Sequence, residues 1–177
     1  DQWLLQARAD DPKQRREAMV ELARSLDEGK LTADQRQQLP AAEQLALSLH
    51  ADTPVSDVSD DLCVEVARYG FSARVRTGAA GLVSDIEALE QLLKHAKGRD
   101  KTVYRLVKNR LDVHKNEQQA LHSRVEHTRR LVEQLERHAK APIDPLYSGK
   151  LRALQEQWSA NSPYADAALN ERWHQAI

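Results

Sequence analysis

Lys101, Arg105 and Lys108 stand four and three residues apart, the spacing that puts side chains on one face of a helix. Lys97 and Arg99 precede them closely. Cations grouped in this way do electrostatic work: they hold phosphates or carboxylates. The grouping is local. Residues 94–115 carry eight Lys and Arg side chains (Lys94, Lys97, Arg99, Lys101, Arg105, Lys108, Arg110 and Lys115) against only Asp100 and Asp112. Residues 1–93 carry ten basic groups against seventeen acidic ones, and residues 116–177 balance, so the whole chain has a net charge of −1. Val103, Leu106, Val107 and Leu111 fall on other faces of the same helix and are expected to point to a core. The basic groups would then form a ridge, with His95 nearby. Two readings follow. One is a site for RNA, DNA or an acidic protein surface. The other is a solvated helix face, paired with the acidic N-terminal segments of the same chain.

Other chemistry is sparse. There is no phosphate-binding Gly-rich loop, nucleophile elbow, zinc-protease pair or paired-Cys metal motif. His114, His122, His127 and His138 fall in one long polar segment, but no pair is three or four apart. His122 with Glu126 supplies too few ligands for a metal. Cys63 sits beside Leu62 and Val66 and reads as a buried structural thiol. Tyr104 is expected to be packed, which removes the one aromatic that a single-strand platform would need inside the ridge. No catalytic residue, metal, cofactor or small-molecule substrate is expected.

The elements that must position the ridge are helical. Leu, Ala, Gln, Glu and Arg recur, the aromatic share is 5%, and Gly and Pro number six each. Residues 1–9 read as a helix tail. Asp11-Pro12 reads as a cap and first turn of a helix running to about Asp27, with Ala18, Met19, Leu22, Ala23 and Leu26 on one face and Gly29 closing it. Thr32-Ala33-Asp34-Gln35 fits a capping box. Pro40 should break or kink the segment that follows. Residues 51–58 read as a loop, and Ser59 caps a short helix that Gly70 ends. Helices are expected over about 73–83, 85–97 and 100–113. A separate polar helix follows over 113–140, then helices from Asp144-Pro145 to Ala160 and over 164–176. Gly78 and Gly81, with Ala79 and Ala80, make a small-residue patch suited to close helix approach. Trp3, Trp158 and Trp173 are expected in the core or at a hairpin interface.

Two patterns divide the chain. Val75, Ala79 and Val83 recur 28 residues later as Val103, Val107 and Leu111, a degenerate internal repeat, with a looser copy between Asp11 and Leu22. Leu121, Val125, Thr128, Val132, Leu135 and Ala139 follow a heptad-like four-three spacing, which Tyr147, Leu151, Leu154 and Trp158 repeat. The expectation is an all-α chain. Residues 1–112 would form a short stack of HEAT-like helical repeats, and residues 113–177 a long-helix αα-hairpin closed into a three-helix bundle by Leu169 and Trp173.

Phe71-Ser72-Ala73-Arg74-Val75-Arg76 and the run Gly98 to Leu111, above all Lys101-Thr102-Val103-Tyr104-Arg105-Leu106-Val107-Lys108, resemble the HEAT-like units of bacterial proteins carrying domain of unknown function 349. The long polar helix and Leu154-Gln155-Glu156-Gln157-Trp158 extend the resemblance over roughly residues 60–160. The resemblance implies a helical-repeat fold and a longer intact protein. It carries no biochemical activity to this chain.

With Asp1 at its start and Met19 its only methionine, the chain reads as a piece of a longer protein. The expected function is a non-enzymatic scaffold or adaptor that binds another macromolecule, with Lys101, Arg105 and Lys108 in contact and Lys97 and Arg99 at the edge. Binding of RNA, DNA or a ribosomal surface through the same ridge is the alternative. No apolar run approaches the ~20 residues that span a bilayer, and the single Cys63 forbids an internal disulfide. A cytoplasmic location and no membrane partner are the corresponding expectations.

Overall fold

Local capping chemistry decides where most helices begin in the computed structural model, which describes residues 2–177. The Asp11 carboxylate accepts from the Lys13 amide at 3.0 Å and Pro12 opens α2 (Pro12–Asp27). Thr32 and Gln35 exchange the two hydrogen bonds of a capping box at the head of α3 (Ala33–Gln37). Ser59 and Ser72 accept from the amides three residues on, starting α5 (Asp60–Tyr69) and α6 (Ala73–Leu82). Asp85 does the same for α7 (Ile86–Ala96) and Asp166 for α10 (Ala167–Ala176). Each such cap stabilises its helix by about 1 kcal/mol. Pro40 separates α3 from α4 (Ala41–His50) and stands at the N-cap of the latter. With α1 (Gln2–Gln6), α8 (Lys101–Ala139) and α9 (Tyr147–Asn161), the described residues form ten α-helices and one 3-10 turn, with no strand.

The chain divides into two compact units, Asp1–Asp112 and Val113–Ile177. In the first, α5 packs on α4, α6 and α7, while α4 also meets α2. Ala18, Met19, Leu22, Leu45, Leu47, Cys63, Val66, Leu89 and Leu92 are buried together. Val75, Ala79 and Val83 of one repeated triplet enter this core fully. So do Val103 and Val107 of the other, with Leu111 partly buried beside them. Cys63 is wholly buried, and burial, then the nearby Asp60 charge, pushes its thiol pKa up.

In the second unit the C-terminal turns of α8 run antiparallel to α9. The His138 ring stacks on Tyr147 at 4.0 Å, the Thr128 hydroxyl reaches the Asn161 carbonyl, and Arg124 reaches the Tyr164 hydroxyl. Contacts that move back along α8 therefore move forward along the returning chain. Val132 and Leu135 of α8, Trp158 of α9, and Leu169 and Trp173 of α10 form the core. The two indoles stack nearly parallel, 4.3 Å between centroids and 4° between planes.

Four details differ from the sequence reading. The break expected near residue 113 is absent, and α8 runs unbroken for 39 residues. Between Asn109 and Ala120 there is neither Gly nor Pro to stop the turn, and Asp112, Val113, His114 and Asn116 lower helix propensity only slightly. The heptad-like seam is buried only in its middle. Thr128, Val132 and Leu135 are enclosed together with Leu131, which the pattern omitted, whereas Leu121 and Ala139 are exposed. A straight α-helix drifts by about 20° per heptad from a seven-residue stripe, so a short seam leaves its partner at both ends. Trp3 is 39% exposed and lies outside the core. The last helix begins at Ala167, because Pro163 sits in a 3-10 turn over Ser162–Tyr164 and Asp166 supplies the cap.

Candidate functional site

The ridge is positioned by one turn and one cap. Gly98 takes a φ of +75°, a left-handed conformation that closes α7 without Cβ strain. The Asp100 carboxylate then accepts from the Thr102 and Val103 amides at 3.0 and 3.1 Å and starts α8. Arg76 of α6 fixes that carboxylate from the other side, its Nε donating at 2.7 Å while its Nη1 donates to the Gly70 carbonyl at 2.9 Å. Burial alone would raise the Asp100 pKa. The Arg76 hydrogen bond and the two amides outweigh it and hold the carboxyl below its ordinary value.

With Val103 and Val107 turned fully inward, Lys101, Arg105 and Lys108 lie on the exposed side of α8, and Lys97 and Arg99 are exposed in the preceding turn. From Lys101 to Lys108 the helix rises about 10 Å. Among the described residues none of these five cations has a carboxylate within 4 Å. Among the described residues no ion pair joins these five cations to the acidic N-terminal segments. Asp100 stands among the basic residues in sequence, but its charge is engaged by Arg76. Arg110 does not join the ridge: it is half-buried and donates from Nη1 to the Ala80 carbonyl at 2.9 Å.

The sequence reading missed a cavity. Within the first unit an opening of about 840 Å³ lies among α2, α4, α5, α7 and the start of α8. Its apolar wall includes Met19, Ala46, Val66, Phe71 and Val103, and six Lys and Arg side chains face three carboxylates around it. Arg99 belongs to both ridge and cavity. His95 lines the cavity beside Tyr69, the two rings meeting edge to face at 5.8 Å, and Arg99 Nη1 approaches His95 Nδ1 at 3.4 Å. Burial, then the Arg68 and Arg99 charges, lowers the His95 pKa, so the ring is neutral at pH 7.

Glu43 is the unusual member. It is only 7% exposed, yet among the described residues its side chain has no ion pair, and the hydrogen bond that steadies it comes from its own backbone. Burial raises its pKa above the ordinary carboxylate value. The one signal for it in the sequence is helical spacing, because Ala46 and Leu47, three and four residues on, share its face and are buried. The rest of the lining comes from residues scattered between Pro12 and Val103. Among the described residues no cluster of three or more His, Cys, Asp or Glu is placed for a metal ion, and no helix is long and apolar enough to cross a membrane.

No protein-family model, curated protein or solved structure matches the chain.

Proposed function

We propose that this chain is a non-enzymatic scaffold or adaptor module of the cytoplasm, and that its basic ridge docks an acidic surface of a protein partner. The observation that supports this is the row formed by Lys97, Arg99, Lys101, Arg105 and Lys108, five exposed cations with no carboxylate partner among the described residues. Surface cations that are already ion-paired gain little from a partner. Unpaired ones steer association and fix its register. A helical stack, with the HEAT-like character and the likeness to domain of unknown function 349 proteins included in the proposal, offers an extended face for such a partner.

The second reading is binding of RNA, DNA or a ribosomal surface through the same ridge. It is favoured by the linear arrangement of the cations, which suits successive phosphates along a backbone. One experiment separates the two. Fluorescence anisotropy compares a glutamate-rich peptide with single-stranded RNA of equal charge, at several salt concentrations. It uses the parent chain and the Lys101→Glu/Arg105→Glu/Lys108→Glu variant. Salt-dependent peptide binding that the variant loses supports the adaptor reading. A steeper salt slope and tighter binding for RNA, lost in the same variant, transfers the function to nucleic acid. If neither probe binds at low salt, the ridge has no docking role.

A further inference from the structure

The cavity of the first unit is lined by a buried carboxylate that has no ion pair among the described residues and by an arginine whose Nε has no hydrogen-bond partner. Glu43 is 93% enclosed by the measure of its 7% exposure, and lines the cavity without an ion pair among the described residues. The Nε of Arg68 lines the same cavity, is shut off from solvent, and has no hydrogen-bond partner. Buried polar groups are nearly always satisfied, so one without a partner marks a place where a contact is missing. Within the cavity Glu43 can accept from an N–H donor of a ligand, and the rest of the Arg68 guanidinium can donate to an anion.

The chemistry of such a ligand follows from the surroundings. Lys13, Arg15, Arg16, Arg68, Arg76 and Arg99 outnumber Glu43, Glu65 and Asp100, and Asp100 is already held by Arg76. So positive a lining favours a polyvalent anion such as a phosphate over a single carboxylate. It also disfavours a cation as the partner of Glu43, whose partner is therefore a neutral N–H group. The Tyr69 and His95 rings at one edge and the buried Phe71 offer surfaces for a flat ring. The opening, at about 840 Å³, lies in the range of small-molecule sites.

We propose that this cavity is a nucleotide-binding site, in which arginines led by Arg68 and Arg99 hold the phosphate and Glu43 accepts N–H groups from the edge of the base. The nucleotide is either free or part of an RNA strand, since both present the same chemistry. The site is independent of the ridge reading and shares only Arg99 with it.

Isothermal titration of the full chain tests this with GMP, whose base carries adjacent N–H donors, and with inorganic phosphate. GMP is expected to saturate one site, and phosphate alone to bind at least about tenfold more weakly. Glu43→Gln should weaken GMP at least about tenfold while leaving phosphate binding unchanged, and Arg68→Gln should weaken both. A 5′-phosphorylated RNA hexamer is titrated into the chain carrying the three ridge reversals, so that the α8 face of the ridge repels the strand. A hexamer that binds tighter than GMP identifies a strand as the source, and the reverse order identifies a free nucleotide. The proposal is overturned if neither GMP nor the hexamer saturates, if phosphate binds as well as GMP, or if the two variants bind like the parent. Circular dichroism checks that Glu43→Gln remains folded, and if it does not, Arg68→Gln decides alone.

Discussion

Arg76 and Asp100 are 24 residues apart in the chain, and their side chains meet at 2.7 Å. The contact joins α6 to the cap of α8, and both side chains are only about one-fifth exposed, at 20% and 19%. Arg76→Ala leaves a partly buried carboxylate without its main partner and should destabilise the chain by about 1–3 kcal/mol, as read by urea unfolding. The sign of the pH dependence follows from the depressed Asp100 pKa. Its stabilisation is complete above the carboxyl's unfolded value, near 3.8, and is lost as pH falls through the lower folded value. Asp100→Asn should therefore cost most at neutral pH, with the gap from the parent closing in strong acid.

Glu43 has the opposite sign. Its folded pKa lies above the ordinary 4.5, so the buried carboxylate costs stability at pH values above the folded pKa and costs nothing below the unfolded one. Glu43→Gln is expected to melt higher than the parent at pH 7 and to converge with it as the pH is lowered past 4.5. A variant that melts lower at pH 7 would show that the carboxylate is stabilised in the fold.

The α6 glycines and their neighbour at its start separate by what surrounds them. A Cβ at Gly70 would lie 2.6 Å from the Val66 carbonyl oxygen and 2.9 Å from Val75 Cγ1. At Gly78 it would press on Leu49 at 3.3 Å, whereas at Gly81 it would meet nothing within 4 Å. The small-residue patch thus serves close approach at Gly78 but not at Gly81. Gly81→Ala should be neutral or stabilising by up to about 1 kcal/mol, and Gly70→Ala clearly destabilising. Thermal melts of the two variants should move in opposite directions or differ by several degrees in that order.

The stacked indoles of Trp158 and Trp173 anchor the small core they form with Val132, Leu135 and Leu169. Trp173→Ala should destabilise the second unit by about 3–5 kcal/mol. Near-UV circular dichroism should lose the coupled indole signal, because Trp3 is exposed and unpaired with them.

These sites differ in how far the sequence exposes them. Caps are local: Asp11, Thr32 with Gln35, and Ser59 each act within three residues, so reading residue types in order finds them. The exposure of the ridge cations was legible for the same reason, since they lie within one connecting turn and about two turns of helix. The end of a seam is not local. Whether Leu121 is covered depends on where a returning helix stops, which no spacing within α8 encodes. The Glu43 cavity is less local still, because its walls come from helices separated by up to 91 residues of chain, from Pro12 to Val103. A charged residue in the first turn of a helix ordinarily serves the helix dipole, and that reading conceals Glu43 among its peers.

Between Lys115 and Arg124 every residue of α8 is exposed, while Val107 before it and Leu131 after it are enclosed. Backbone hydrogen bonds in that stretch are guarded by helix propensity alone. Amide protons there should exchange with deuterated solvent faster than those toward either end of the same helix, reversing the order in which an isolated helix frays.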